Sequence, residues 1–448
     1  MQKLICLLFA LCLTINIASA ETITKMLKKM NVNKSAVSVS VKSVDDKETI
    51  FALNEKTPMT PASTLKLLTS AASLNALGEK YLFTTKLYKS SNNDLYIKLG
   101  ADPFLTSKDL EKLIDMAKEK NIYEPKNIYI DSTIFDNNEW GEGWQWDDDL
   151  NPLMPKFSAY NLDGNLIRIE VSPTRNGTPA SIVANPFYPL TFMNYTSTKT
   201  ADGVNNVNFS RNNSIAPNVI NVNGNVSKMQ VVNIPNNNPK IYFNLRLEEA
   251  IRNRRMEYYK PIQNATLPTK NIYLVGQVTH TLDEGLTEIL TNSNNLFAET
   301  LFKLAGASYA KGQGTTKNSI ELLNKYLSKK DLDIDEIKVV DGSGVSKNNI
   351  INADFMTEFL INLHENEFFR NHLAAPGVGT LKNRMLYFKD NLRAKTGTLS
   401  DISAIAGYLK TRKGKTVVFD VMINDAKTTS ADKKNIEEQI LRNIYMNY

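Results

Sequence analysis

The sequence predicts an α+β protein with antiparallel strands, and three observations predict it. Near the C-terminus, residues 393–399, 403–409 and 416–424 read as successive strands, the last two joined by a turn at Gly414, which makes an antiparallel meander. Behind them Ile436, Ile440, Leu441 and Ile444 mark a helix with one apolar stripe, suited to packing on that sheet rather than on a membrane. Near the N-terminus a strand pair precedes a helix that is apolar on nearly all sides and is therefore buried. A chain of 448 residues, 42% hydrophobic and 22% charged, is long enough for several cores of this kind.

Taken in order, the chain opens with Lys3, an apolar run from Leu4 to Ile17, and Ala18-Ser19-Ala20. This is the pattern of a secretory signal over residues 1–20 with a small-x-small cleavage site. A retained N-terminal anchor is the alternative, although Thr14 and Asn16 interrupt the run and it is short for a membrane span. Both cysteines, Cys6 and Cys12, lie inside this segment, so the mature chain has no disulfide, thiol chemistry or cysteine metal site. Loss of Lys3 leaves a net charge of +5, too small an excess over this length to point to nucleic acid.

Val37, Val39 and Val41 alternate with polar residues, Asp45-Asp46-Lys47 turns the chain, and residues 48–53 return as a second strand. In the following helix Thr60 is a capping residue, Pro61 suits the first helical position and Gly78 closes the last turn. Residues 84–264 differ in character. They begin with a strand over 94–99, a turn at Gly100-Ala101-Asp102-Pro103 and a helix over 108–118. Residues 201–240 carry 13 asparagines, which fits either a disordered tract or a small β-rich insert. Ile220 and Val222 alternate up to Asn223-Gly224, a hairpin signal that favours the insert. From about 265 the pattern is again that of a compact body, with amphipathic helices over 296–305 and 319–327.

The chemistry available is narrow. His280, His364 and His372 are the whole histidine complement, with no zincin spacing, and no G-x-S-x-G elbow occurs. Acyl chemistry here needs another base, and a buried lysine is the natural one. S-x-x-K places serine and lysine one helical turn apart, but chance alone produces as many such pairs as the chain has. They are Ser63/Lys66, Ser308/Lys311 and Ser430/Lys433. Ser308 follows Gly306 past the expected helix end, and Ser430 lies in a polar run. Only Ser63 opens a buried helix, where backbone N–H groups favour an oxyanion. Lys66 is either a charge that needs a partner inside that helix or a lysine snorkelling from its end. Ser293-Asn294-Asn295 precedes a helix, and Lys395-Thr396-Gly397 lies on a strand of the meander. The latter offers a cation, a hydroxyl and a residue without Cβ where a backbone can approach.

In this order the three motifs resemble those of the penicillin-recognising serine enzymes. The 227-residue gap between the first two resembles the penicillin-binding protein 4-type D-alanyl-D-alanine carboxypeptidase/endopeptidases, the class C low-molecular-mass penicillin-binding proteins. Supporting stretches are Pro61-Ala62-Ser63-Thr64, Gly100-Ala101-Asp102-Pro103, Trp144-Gln145-Trp146-Asp147-Asp148 and Asp341-Gly342-Ser343-Gly344. The resemblance implies a β-lactamase-like transpeptidase domain over 21–83 plus 265–448, with an antiparallel sheet flanked by helices. It implies an inserted domain over 84–174 plus 246–264, and a second, β-rich insert over 175–245. It also implies that Ser63 attacks a D-Ala-D-Ala carbonyl, that Lys66 accepts its proton, and that the N–H groups of Ser63 and Thr398 hold the oxyanion. Ser293 relays a proton to the departing D-alanine, and Asn295 holds Lys66 or the substrate amide. Lys395, Thr396 and Thr398 hold the terminal carboxylate. No cofactor or metal is implied, and the expected partners are peptidoglycan stem peptides and β-lactams in the periplasm or cell envelope.

Two other functions share parts of this pattern. A class A β-lactamase has a glutamate before an x-x-Leu-Asn run, and Glu321-Leu322-Leu323-Asn324 is one residue too short for that. A non-catalytic wall-binding protein of the same fold sits badly with three intact motifs. The cluster of Trp144, Trp146 and Asp147-Asp148-Asp149 reads on physical grounds as a solvated acidic loop anchored by indoles. The resemblance implies instead that Asp148 receives the free amine of the stem peptide's diamino acid.

Overall fold

The computed structural model describes residues 23–25, 27–29, 32–145, 148–211 and 216–448. The expected signal segment, Trp146 and Asp147 lie outside the described residues. Strands β1 (Val37–Ser43) and β2 (Thr49–Leu53) form the expected antiparallel pair. A 3-10 turn over Ala62–Leu65 leads into helix α1 (Lys66–Leu77), which ends at Gly78 with φ 83°. Thr60 does not cap this helix: its hydroxyl donates to the Lys347 carbonyl at 3.3 Å. The reason lies in Ala62, whose φ of 48° puts a tight left-handed turn between Thr60 and the helix.

Next come β3 (Leu82–Ser90), β4 (Leu95–Lys98), α2 (Ser107–Glu119) and β5 (Ile128–Asp131). Six strands follow: β6 (Leu166–Ser172), β7 (Ser181–Ala184), β8 (Thr191–Thr198), β9 (Asn206–Arg211), β10 (Val219–Val226) and β11 (Gln230–Pro235). Helix α3 (Pro239–Asn253) and strands β12 (Gln263–Asn264) and β13 (Ile272–Thr281) then return the chain. One sheet runs β12-β5-β4-β3-β13, and two small sheets run β11-β6-β7 and β8-β10-β9. Residues 272–281 therefore pair with β3 rather than with the C-terminal meander. Asn223-Gly224 does not turn. β10 runs straight through it, parallel to β8 and antiparallel to β9. Gly224 serves close approach instead, because a Cβ there would lie 1.9 Å from the Asn206 carbonyl oxygen.

The rest comprises α4 (Asn295–Ala310), α5 (Thr316–Ser328), α6 (Ala353–Leu363), the meander β14 (Leu392–Thr398), β15 (Ile402–Lys410) and β16 (Thr416–Asn424), and α7 (Ser430–Asn447). Helix α4 continues past Gly306, so Ser308 lies within it. A Cβ at Gly306 would sit 2.4 Å from Ser319 Oγ, so the glycine lets α5 pack close and does not end the helix. The first and last strands join in one antiparallel sheet, β14-β15-β16-β1-β2. The α7 stripe (Ile436, Ile440, Leu441, Ile444) is buried against one face with Val39, Val41, Phe419 and Val421. The other face, with Ala404, Ala406, Val418 and Met422, shares a core with α1, α4 and α6. Each of these large aliphatic side chains gains about 1.5–3 kcal/mol from burial. This is the α+β architecture, an antiparallel sheet flanked by helices, that the sequence predicts. Among the described residues no helix is long and apolar enough to cross a membrane.

Candidate active site

The 3-10 turn leaves Ser63 half-buried at the mouth of α1, and Lys66 three residues on is fully buried. Lys66 Nζ lies 3.0 Å from Ser63 Oγ, 2.7 Å from Asn295 Oδ1 and 2.6 Å from the Ser343 carbonyl oxygen. The lysine does not snorkel; it is enclosed by three acceptors. Burial pulls its pKa down to about 7, although the carboxylates of Asp341 and Glu299 oppose the shift. An amine that is partly neutral near pH 7 and touches a serine hydroxyl can take that hydroxyl's proton. Asn294 caps α4 by accepting from Phe297 N–H, so Asn295 falls on the first turn and reaches Lys66. The Asn295 Nδ2 donates to the Leu153 carbonyl at 2.7 Å.

The opposite wall is β14, an edge strand. Ala394 N–H donates away from β15, to the Ala374 carbonyl at 2.9 Å. By strand alternation the N–H groups of Thr396 and Thr398 face that same open side. Lys395 is fully buried, and its Nζ donates to Ser293 Oγ and to the Thr396 carbonyl, both at 2.7 Å. Burial, with Lys66 as a like charge, holds its pKa well below the usual lysine range. Its amine is thus directed at Ser293 and at the backbone of its own strand. At Gly397 the backbone that approaches is the protein's own: a Cβ would lie 2.9 Å from Ser63 N and 3.0 Å from the Pro61 carbonyl oxygen. Ser63, Ser293, Asn295, Thr396 and Thr398 line one cavity of about 440 Å³, together with Leu153, Glu288, Arg384 and Lys434.

Asp148 does not line that cavity; it is half-buried and lies four residues before Pro152, which does, with Leu153. Of its neighbours, Asp149 pairs with the buried Arg211 at 3.5 Å. Trp144 is buried, and its indole N–H donates to Asp341 Oδ2 at 2.9 Å. The histidines have local duties: His280 meets Asp102 at 2.7 Å, and His372 meets Asp283 at 3.1 Å. Sequence reasoning missed Glu299, the carbonyl oxygens of Ser343 and Leu153, and Arg384, which donates to Glu437 at 2.5 Å. Glu299 had a signal, since it stands one helical turn after Asn295 in an otherwise apolar stretch.

The sequence profile of the D-Ala-D-Ala carboxypeptidase 3 (S13) family matches residues 19–444. A D-alanyl-D-alanine carboxypeptidase of Actinomadura sp. (strain R39) is 25% identical over 442 residues, covering 90% of this chain and 80% of that protein. The D-alanyl-D-alanine carboxypeptidase DacB of Haemophilus influenzae is 23% identical over 436 residues, covering 92% and 90%. The crystal structure of penicillin binding protein 4 from Haemophilus influenzae superposes with a TM-score of 0.82 at 22% identity, covering 92% of this chain and 96% of that one.

Proposed function

The chain belongs to the D-Ala-D-Ala carboxypeptidase 3 (S13) family and is a serine-type hydrolase of D-alanyl-D-alanine peptides, and we propose that Ser63 carries the reaction through an acyl-enzyme. The observation that carries this reading is the 3.0 Å contact between Ser63 Oγ and a fully buried lysine amine. Neutral Lys66 accepts the Ser63 proton as Oγ attacks the penultimate D-alanine carbonyl. The N–H groups of Ser63 and Thr398 receive the oxyanion. As the C–N bond breaks, a proton passes through Ser293 to the departing amine, and water then hydrolyses the ester. Lys395 orients Ser293 and stiffens β14. The terminal carboxylate meets Thr396 and Thr398, in a cavity that Arg384 and Lys434 also line. Gly397 keeps this strand against the Ser63 turn. Asn295 holds Lys66.

The natural substrates in this reading are peptidoglycan stem peptides, cut as a carboxypeptidase or as an endopeptidase on cross-links, outside the cytoplasm after loss of residues 1–20. β-Lactams acylate the same serine; the solved Haemophilus influenzae complex with a β-lactam supports that extension. In this reading the catalytic domain comprises residues 21–83 and 265–448, and β13 near its second border pairs with β3. Incubation with a fluorescent penicillin tests the reading. A stable covalent adduct, absent in Ser63→Ala, is expected. Rapid turnover of the penicillin would make the protein a β-lactamase, and no labelling would make it a binding protein.

A further inference from the structure

Lys66 is held by three acceptors, and one of them is a backbone carbonyl whose own position needs explaining. Ser343 lies in the Asp341-Gly342-Ser343-Gly344 turn, which is wedged between α4 and the Ser63 turn. A Cβ on Gly342 would sit 2.8 Å from Phe302 Cβ, and one on Gly344 (φ 78°) 2.0 Å from the Ala62 carbonyl oxygen. What fixes the turn is Glu299, 1% exposed. Its two carboxylate oxygens each accept from Gly342 N–H at 3.0 Å, and Oε1 also accepts from Ser343 N–H at 2.8 Å. Asp341 secures the far side. It accepts from Gly344 N–H, Ser346 N–H, Asn349 Nδ2 and, from the inserted region, Trp144 Nε1, at 2.7–2.9 Å.

We propose that Glu299 is a positioning residue for acylation: it holds the Gly342–Ser343 backbone so that the Ser343 carbonyl keeps the Lys66 amine on Ser63 Oγ, while Asp341 ties the same turn to Trp144. This rests on Lys66 being the base. Asn295 and Glu299, four residues apart on one face of α4, then supply two of the three constraints on Lys66, one directly and one through the turn. The charged groups facing Glu299 are Lys66 on α1, Asp341 on the turn and Lys303 further along α4. Lys303 is itself paired with Asp136. Burial and the Asp341 charge raise the Glu299 pKa, and the carboxylate is linked to Lys66 through the Ser343 backbone, whose N–H it accepts and whose carbonyl accepts from Lys66.

The test is the rate of acylation by penicillin against pH in the full chain and in Glu299→Gln. The amide keeps the shape, but it faces two N–H donors with a single acceptor oxygen and brings no charge. The acylation rate at pH 8 should fall about 10- to 100-fold, the cost of a displaced catalytic group. The acidic limb should also move to lower pH, because a charge that favours protonated Lys66 is gone. Glu299→Asp, which keeps the charge, should lose rate without that shift. A wild-type rate in Glu299→Gln, or a reduced rate with an unmoved limb, would overturn the proposal. Should Glu299→Gln not fold, Trp144→Phe acts on the same turn from outside, and a wild-type acylation rate there would overturn it too. Failure of the wild-type protein to be acylated would strike the Ser63–Lys66 reading instead.

Discussion

Lys66 serves as a base only in its neutral form, and desolvation brings that form within reach near pH 7. Because its pKa is lowered, the competent state is present above about 7 and is lost as pH falls. The acylation rate should therefore drop about tenfold per pH unit on the acid side of a midpoint near 7. A midpoint near 4 to 5, read from penicillin labelling over a pH series, would assign the proton to a carboxylate instead. The residues of the three motifs were legible in the sequence because each carries its chemistry in short spacing. Glu299 is harder to read, because its role runs through a backbone turn more than 40 positions away. Asp148 stays an expectation of the resemblance: Asp149 pairs with Arg211, and Leu153, five residues after Asp148, lines the cavity. A carboxylate facing the substrate's side-chain ammonium contributes roughly 1.5–3 kcal/mol. Asp148→Asn should thus lose about 10- to 150-fold of the kcat/KM preference for a peptide with a free side-chain amine over its acetylated form. An unchanged ratio would leave Asp148 a loop residue.

Strand β14 and the 3-10 turn meet where Gly397 lacks a Cβ, so the two walls of the cleft share one close contact. Gly397→Ala forces a methyl against Ser63 N and the Pro61 carbonyl, and the turn must yield. Acylation by penicillin should fall about 100-fold, since displacements near 1 Å carry that cost. Labelling at the wild-type rate would show that the contact is slack. The buried α1 helix, the meander and the α7 stripe were readable because periodicity and burial agree there. Two elements misled for a shared reason. Thr60 and Asn223-Gly224 have the chemistry of a cap and a turn, but tertiary neighbours claim them: Lys347 takes the Thr60 hydroxyl, and Asn206 crowds Gly224. Gly306 likewise looked like a helix end and instead marks where α5 packs on α4.

At the scale of the molecule, the central sheet joins strands from both ends of the described chain, with β1 beside β16, and the strands between 82 and 281 form three other sheets. The motif order made this interruption visible, but composition could not show the pairing of β13 with β3, which depends on contacts across some 190 positions. Nor could it show that the intervening region touches the site at Trp144–Asp341 and at Leu153–Asn295. Such long-range contacts leave no periodic trace in sequence. The whole assembly converges on one hydroxyl, so the most direct measurement is peptide mapping by mass spectrometry after incubation with penicillin. The adduct is predicted on Ser63 alone, in the proteolytic peptide that contains Pro61-Ala62-Ser63-Thr64. An adduct on Ser293, Ser308 or any other residue, with Ser63 unmodified, would contradict the account.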